Sequence, residues 1–313
     1  MSDGFPKGRE GNSGGDALAT AEAAIRSRDA TSLIRIYQEN WEAFQGDAAQ
    51  LNWFGVNLLR LGHPIESLPL LERAAQLNPD GRECWHNISS ALVQMGREED
   101  AVSAFSCGLK PYDGAIAQQN NIICDYELLV ADYDGNSAHH LFSDSMIDFY
   151  SRISPARRLR KVLDLGCGTG LLATRLPASA TTLWGVDLSP DMLRIAEGRK
   201  LYDRLIQGDL VTVMAGMTEP FDSVFSACVL YYFADLRPIF AQVARLMAPE
   251  GMFVFSVDPY GDEHEIGVTG PGEYCHSRRY LRSLAAEVGL EEKAIEIARH
   301  RGPPGFWCAF KKA

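Results

Sequence analysis

Residues 162–176 read VLDLGCGTGLLATRL, an apolar run followed by alternating glycines and then by a helical pattern. This order predicts a buried strand, a tight loop and a helix. Glycines at alternate positions let the chain turn sharply and let a ligand lie against bare backbone, while a helix N-terminus offers free N–H groups to an anion. The stretch therefore predicts a ligand-binding loop at the carboxyl end of a strand.

The chain after this loop alternates between strand-like apolar runs and helical stretches, which predicts a mostly parallel sheet buried on both faces. Its last two runs are separated only by the Gly-Pro-Pro-Gly turn at residues 302–305, so we expect an antiparallel strand there. The predicted strands, seven in all, cover residues 161–165, 182–187, 203–209, 223–228, 252–257, 294–299 and 306–311.

Acidic residues stand at the ends of the next two predicted strands. Asp187 is placed to accept hydrogen bonds from both hydroxyls of a ribose. Gln207 and Asp209 end the following strand, where we expect an adenine amino group. The apolar residues predicted to cover the adenine ring are Leu188, Met192 and Leu210.

The alternating glycines, with Asp164 before them, resemble motif I of class I S-adenosylmethionine methyltransferases. The resemblance implies a donor whose ammonium lies near Asp164 and whose carboxylate meets backbone N–H groups, with S-adenosylhomocysteine as product. A Rossmann oxidoreductase is disfavoured because the GxGxxG spacing is missing. The predicted donor-binding residues are Asp164, Gly166, Cys167, Gly168, Gly170, Asp187, Leu188, Met192, Asp209, Leu210, Ala227 and Tyr133.

The loop after the fourth predicted strand should lie beside the transferable methyl group, because ligands of this fold bind beyond the carboxyl ends of strands. Tyr231 and Tyr232 in this loop are predicted to orient the acceptor or contact the sulfonium, although one of them alternatively belongs to the core. His276 follows an insertion, residues 259–273, that we expect to form a hairpin lid. We predict His276 as a general base. Helix capping explains the same residue equally well.

The N-terminal half repeats itself at an offset of 34 residues, which aligns Leu58 with Leu92 and Gly62 with Gly96. Each copy has a helical apolar stripe, a glycine turn and a second helix, a pattern that resembles the tetratricopeptide repeat. Residues 17–46 look like a degenerate first copy. A short array of this kind needs caps or a neighbour to cover its apolar ends. We therefore expect the repeats to select the acceptor or to set assembly, through a protein partner or a homodimer.

Four segments follow from these patterns: a disordered tail at 1–16, tetratricopeptide-like repeats at 17–113, connecting and donor-site-capping helices at 114–160, and a class I methyltransferase domain at 161–313. The predicted fold is a Rossmann-like α/β sheet of seven strands, preceded by an all-α repeat domain. Stretches 201–210 and 274–280 resemble a predicted methyltransferase family that carries tetratricopeptide repeats. That family implies a fold and a methyl donor but no secure acceptor.

The composition of the chain argues against several classes of protein. The chain has 313 residues, a formal net charge of −11 and seven scattered cysteines without a CxxC pair. The acidic balance argues against a nucleic-acid partner. The cysteines read as reduced thiols, and no cluster with metal-ligand spacing indicates a metal. Neither a membrane-spanning run nor a signal-peptide core is seen, so we expect a cytoplasmic protein.

Two functions remain open from the sequence. The first is an enzyme that transfers a methyl group from S-adenosylmethionine to an oxygen or nitrogen of a small metabolite or a protein by in-line displacement. The second is a repeat-based scaffold whose methyltransferase-like domain binds the donor but turns over weakly. The presence of Asp164, Asp187 and Asp209 favours the enzyme.

Overall fold

The computed structural model describes residues 12–114, 130, 133–155, 159–177, 180–270, 273–300 and 302–313. The chain divides into two compact units, with the boundary between Leu109 and Lys110. The first unit is helical and the second is an α/β sheet. Residues 115–129, 131–132 and 156–158 of the connecting segment predicted at 114–160, and residues 1–11 of the predicted tail, lie outside the described residues.

The described part of the first unit consists of helices whose bounds repeat along the chain. Helices α4 and α6 each have 13 residues and begin at positions 48 and 82, the offset found in the sequence. Glycines with a positive φ follow both helices, Gly62 at 86° and Gly96 at 72°. The helices are α1 Asn12–Arg26, α2 Ala30–Glu39, α3 Trp41–Phe44, α4 Ala48–Arg60, α5 Pro64–Leu77, α6 Arg82–Gln94 and α7 Glu98–Cys107.

Close contact between α4 and α5 explains a glycine in the middle of a helix. A Cβ atom on Gly55 would lie 2.6 Å from Leu71 Cδ2. The hydroxyl of Ser67 donates to the carbonyl of Gly55 at 2.7 Å, which ties the two helices together. The described repeats are thus packed helical hairpins, whereas their assignment to the tetratricopeptide type stays a prediction.

Helix α1 begins at Asn12, so the predicted tail of residues 1–16 is too long. A helix propagates more easily than it starts, so the helix that runs through the alanines after Asp16 extends back over residues 13–15 despite their low helix propensity. Composition alone did not reveal this extension because Gly and Ser are frequent in the segment.

The second unit is built on a sheet of ten strands, in which the order β1-β7-β8-β6-β5-β2-β3-β4 is hydrogen-bonded and β10 joins β6 to β9. Strands β2 and β3 have the predicted bounds. The strands are β1 Lys110–Pro111, β2 Lys161–Leu165, β3 Thr182–Asp187, β4 Arg204–Gln207, β5 Phe221–Ser226, β6 Met247–Tyr260, β7 Ile266–Gly270, β8 Glu273–Ser277, β9 Leu290–Arg299 and β10 Pro304–Lys312.

The seven-stranded prediction is corrected by β1, β7 and β8. The predicted insertion does form a hairpin, but β8 pairs in parallel with residues 258–260 of β6, and β7 pairs with β8. The hairpin therefore extends the sheet instead of forming a separate lid. Strand β6 is long enough to hold β5, β10 and β8, because its C-terminal end runs past the residues that pair with β5.

The parallel strands create a crevice at β2. Strand β2 pairs with β3 on one side and with β5 on the other, so the strand order reverses there. Ligands in open α/β sheets bind at such a reversal, beyond the carboxyl ends of the strands. The described helices of this unit are α8 Ser137–Ile153, α9 Pro190–Arg199, α10 Leu210–Ala215, α11 Arg237–Leu246 and α12 Arg278–Glu287.

Side-chain caps start several of these helices. Ser189 caps α9 by accepting from the amide of Met192, and Ser277 caps α12 by accepting from the amide of Tyr280. The turns after β3 and β8 are therefore fixed by local hydrogen bonds. In the part of the chain that the structure describes, no helix combines the length and apolarity needed to cross a bilayer.

Candidate donor-binding site

The glycine loop after β2 has the conformation that its sequence predicts. Gly166, Gly168 and Gly170 have φ values of 71°, 54° and 81°, in the left-handed region that L side chains rarely adopt. A Cβ on Gly166 would lie 2.3 Å from Val229 Cγ2, whereas one on Gly168 would meet no protein atom within 4 Å. Gly168 therefore faces open space, and Gly166 allows the loop to pack against the chain after β5.

A cavity lies directly beyond this loop and includes about 700 Å³ of space together with its open mouth. Its lining is mostly apolar and aromatic, and it includes two carboxylates. The lining residues are Tyr133, Gly166, Gly168, Asp187, Leu188, Ser189, Met192, Gly208, Asp209, Leu210, Ala227, Cys228, Val229, Tyr232 and Phe233.

Most of the predicted donor residues meet at this cavity, although they are far apart in the sequence. Asp164, Cys167 and Gly170 do not belong to the lining. Five lining residues were not predicted from the sequence. They follow β3, β4 and β5, and only this position after a strand could have indicated that they line the cavity. They are Ser189, Gly208, Cys228, Val229 and Phe233.

Asp187 sits at the carboxyl end of β3 and joins the glycine loop to the next helix. Its Oδ2 accepts from the amide of Gly168 at 2.8 Å, and its Oδ1 accepts from the amide of Ser189 at 2.9 Å. Burial raises the pKa of Asp187, and these backbone hydrogen bonds oppose that effect. The carboxylate is thus held in a fixed orientation in the cavity wall.

Asp209 occupies the equivalent position after β4, where it caps α10. Its Oδ1 accepts from both the amide and the hydroxyl of Thr212 at 2.9 Å. The apolar side chain of Leu210 follows it in the cavity wall. Gln207, which we expected near the adenine, is not a lining residue, and its amide lies 3.4 Å from the carbonyl of Leu188.

Asp164 lies behind the loop and not in the cavity. It is buried, and its Oδ2 accepts from the hydroxyl of Tyr202 at 2.7 Å. Burial raises the pKa of Asp164 to about 7. Cys167 is buried with its sulfur close to Gly185, so both residues support the loop from beneath. Side chains of a strand point to the two faces of the sheet, so that of Asp164 projects from a face of β2 and not beyond its end.

A short 3₁₀ helix, residues 133–135, brings Tyr133 to the cavity and attaches to the glycine loop. The hydroxyl of Thr169 donates to Asp134 Oδ1 at 2.6 Å, and Arg199 forms an ion pair with the same carboxylate. His139 Nδ1 lies 2.9 Å from the carbonyl of Tyr133. Burial, followed by the nearby Cys228 and Asp187, raises the pKa of Tyr133. This 3₁₀ helix, which we call the cap, is therefore attached to the glycine loop through the carboxylate of Asp134.

Tyr232 lines the cavity, while Tyr231 packs into the core. The hydroxyl of Tyr231 donates to that of Tyr232 at 3.0 Å, with the ring centroids 4.2 Å apart. One tyrosine of the pair is thus exposed to a ligand and the other supports it.

His276 does not reach the cavity, contrary to the general-base prediction. Its side chain is fully buried at the end of β8, where Nε2 lies 3.2 Å from the carbonyl of Ala234 and the ring stacks on Tyr280. Burial lowers the pKa of His276 to about 4. Because β8 continues the sheet beside β6, the imidazole packs against the chain after Phe233 and is uncharged at neutral pH.

Metal binding has no structural support among the residues that the structure describes. They contain no group of three or more His, Cys, Asp or Glu side chains arranged to hold a metal ion. His140, which stands beside His139, points Nε2 at the carbonyl of Asp134 at 2.7 Å. The histidine pair thus helps to position the cap.

Comparison with known proteins finds matches to the central part of the second unit. Residues 163–255 match the family model described as a methyltransferase domain. An uncharacterized methyltransferase of Schizosaccharomyces pombe is 33% identical over 111 residues, which cover 34% of this chain and 43% of that protein. A ubiquinone biosynthesis O-methyltransferase of Thiobacillus denitrificans is 34% identical over 155 residues, which cover 44% of this chain and 66% of that protein.

The chain therefore spans about half the length of the curated relatives it matches. A solved structure of an N-methyltransferase from Bradyrhizobium japonicum, in complex with S-adenosylhomocysteine, aligns with a TM-score of 0.48 and 17% identity. That alignment covers 62% of this chain and 99% of the other. The matched residues 163–255 run from β2 into β6, so the match falls on the parallel strands of the Rossmann-like sheet that surround the cavity.

Proposed function

We propose that this protein, which carries a methyltransferase domain at residues 163–255, transfers a methyl group from S-adenosylmethionine to an oxygen or nitrogen of an acceptor. The acceptor is a small metabolite or a protein side chain, and S-adenosylhomocysteine is the second product. The observation that carries the proposal is one cavity that joins the glycine loop, Asp187 and Asp209.

The residues of this cavity fit the donor. The open space over Gly168 accommodates the methionine end against bare backbone. The Asp187 carboxylate lies in the cavity wall, where it can accept from ribose hydroxyls in addition to the backbone amides of Gly168 and Ser189. Leu188 and Leu210 provide the apolar faces for the adenine, next to Asp209.

The other end of the cavity is where the acceptor belongs. Tyr133, Cys228, Val229, Tyr232 and Phe233 line it, beyond the carboxyl end of β5. When bound, the donor supplies a methyl carbon activated by its sulfonium. This chain's residues orient the acceptor and exclude water, and holding the two reactants in line accounts for most of the acceleration. The proposal therefore assigns Tyr232 to orienting the acceptor, and it gives His276 no catalytic role.

Donor binding is the first test. Calorimetric titration of the full chain with S-adenosylhomocysteine should show one site per chain. Incubation with radiolabelled S-adenosylmethionine and a cell lysate, with and without prior digestion of the lysate proteins, then distinguishes a metabolite from a protein acceptor. Binding without transfer to either fraction would favour the scaffold function, and absence of binding would contradict both.

We further propose that the repeats select the acceptor or set assembly through a protein partner or a second copy. The support is that the cavity residues from Tyr133 to Phe233 all lie in the second unit. A chain shortened to begin at Gly108, just before β1, should keep its affinity for S-adenosylhomocysteine. It should lose transfer to the natural acceptor or change its mass in solution. Retention of both wild-type transfer and wild-type mass would contradict this role.

A further inference from the structure

Four polar side chains form a connected group behind the cavity wall, which we call the Cys228 cluster: Cys228, Ser256, Asp258 and His300. His300 follows β9 and places Nδ1 2.8 Å from Asp258 Oδ1 and Nε2 3.0 Å from Ser256 Oγ. The same Nε2 lies 3.5 Å from Cys228 Sγ. His300 and Asp258 are buried, while Cys228 lines the cavity. The cluster therefore connects a buried carboxylate to a sulfur in the wall of the cavity.

The surroundings of His300 favour its protonated form. Burial by itself lowers its pKa, but Cys228 and the carboxylate of Asp258 outweigh that effect and raise the pKa of His300 to about 9. Thiolates beside an imidazolium are the reactive form of cysteine. The arrangement of a sulfur, an imidazole and an orienting carboxylate is also that of an activated nucleophile.

The backbone presents Cys228 in an unusual conformation. Its φ is 57°, in the left-handed region that few residues other than glycine adopt. Its amide donates to Ser256 Oγ at 3.1 Å, so the cluster itself holds the strained turn. Gly305 also packs against His300, because a Cβ there would lie 2.4 Å from His300 Cβ. Strained residues that the surroundings hold so firmly are concentrated at functional sites.

We propose that Cys228 is a modification site for peroxides and other small electrophiles, activated by His300 and Asp258 and reached through the donor cavity. With hydrogen peroxide, the sulfur attacks one oxygen, the O–O bond breaks, and the other oxygen leaves as hydroxide. The sulfur is oxidised to a sulfenic acid and the peroxide is reduced. With an alkylating agent such as iodoacetamide, an S–C bond forms and iodide leaves.

Modification has a consequence that rests on the proposed function. The added atoms extend from the cavity wall into the space beside Val229 and Tyr232, where the acceptor and the methyl group would meet. Occupation of that space reduces donor binding. Peroxide would then switch off methyl transfer, and a thiol reductant would restore it by reducing the sulfenic acid.

The experiment treats the full chain with iodoacetamide at pH 6.5 and quantifies each cysteine by peptide mass spectrometry. Cys107 is exposed and serves as the reference within the same molecule, while the buried Cys84 and Cys308 report intact folding. We expect Cys228 to react about tenfold faster than Cys107. Equal or slower reaction of Cys228 in the wild-type protein would overturn the proposal, and this outcome needs no variant to fold.

Two further measurements test whether His300 activates Cys228 and whether Cys228 reacts with peroxide. His300→Gln should bring the rate at Cys228 down to that at Cys107 or below, and Cys107→Ser should leave the rate at Cys228 unchanged. An unchanged rate in a folded His300→Gln protein would exclude activation by the imidazole. Stoichiometric hydrogen peroxide should give a dimedone adduct at Cys228, and its absence would exclude the peroxide reaction.

Calorimetry with S-adenosylhomocysteine separates this proposal from the proposed function. We expect the bound nucleoside to protect Cys228 and the alkylated protein to lose at least tenfold in affinity. Fast labelling in a protein that binds no S-adenosylhomocysteine would uphold the modification site and refute the donor site. Equal affinity before and after labelling would refute the blocking effect.

Discussion

Asp187 is the side chain on which donor affinity should depend most. Asp187→Asn removes a buried, charge-assisted acceptor for a diol, which is worth about 2–3 kcal/mol, or roughly a 30- to 150-fold loss in affinity. Titration with S-adenosylhomocysteine measures it. Asp191→Asn is the matched control, because Asp191 lies on α9 close to the site but does not line the cavity. Equal affinities of the wild type and both variants would remove Asp187 from the site.

His276 should act on stability and not on turnover. Its pKa is lowered to about 4 in the folded chain, against 6.5 for the unfolded residue. Its stabilising contribution is therefore present above about pH 6.5 and is lost as the pH falls to about 4, a change on the order of 3 kcal/mol. We expect the difference in unfolding free energy between wild type and His276→Gln to shrink from pH 7.5 to pH 4.5 in urea titrations.

The methyl-transfer rate supplies the contrasting measurement for the same variant. A general base contributes about 10²- to 10⁴-fold. Because the His276 ring is buried away from the cavity, His276→Gln should retain turnover per folded molecule within a few fold. A 100-fold decrease in turnover, with donor affinity unchanged, would restore the catalytic assignment.

At the level of elements, some features could be predicted because they depend on local chemistry. The glycine spacing and the apolar runs specify β2, β3 and the loop between them, and Asp187 and Asp209 follow from their positions after strands. The hairpin of β7 and β8 was missed as part of the sheet because its pairing partner is the far end of β6. Long-range pairing of this kind leaves no local pattern in the sequence.

Because strand pairing leaves no local pattern, the sequence also did not reveal the surroundings of His276 and His300. His276 looked suitable because it follows a loop, yet its burial depends on the sheet extension that places β8 beside β6. His300 has no motif around it and approaches Cys228 only because β9, β10 and β6 are neighbours in the sheet. A histidine's chemistry is thus set by strand order, which a single sequence does not encode locally.

The contact between α4 and α5 gives a test of the repeat packing. Gly55→Val should lower the free energy of unfolding of the first unit by about 2 kcal/mol, since the new side chain forces Leu71 away and overpacks the interface. Gly46→Val is the control, because a Cβ at Gly46 meets nothing within 4 Å. Urea unfolding followed by circular dichroism measures both. Equal stability of the two variants would contradict the described packing.

For the whole molecule, His300 contributes stability that is lost at alkaline pH. Its folded pKa is about 9, above the unfolded value of 6.5. The stabilisation is therefore complete below about pH 6.5 and is lost as the pH rises through 9, by on the order of 3 kcal/mol. We expect the urea midpoint of the second unit to fall between pH 6.5 and 9. His300→Gln should flatten this dependence, and an equally steep fall in that variant would contradict the assignment.

Strand β1 covers the edge of β7 with only Lys110 and Pro111. An uncovered strand edge recruits other chains and starts aggregation, whereas proline offers no N–H group and lysine adds a charge that opposes such pairing. Strand β4, at the other end of the hydrogen-bonded order, is short and carries Arg204. The two residues of β1 thus protect the edge of β7 from pairing with other chains. A protein shortened past Pro111 should aggregate through β7 even if its cavity is intact.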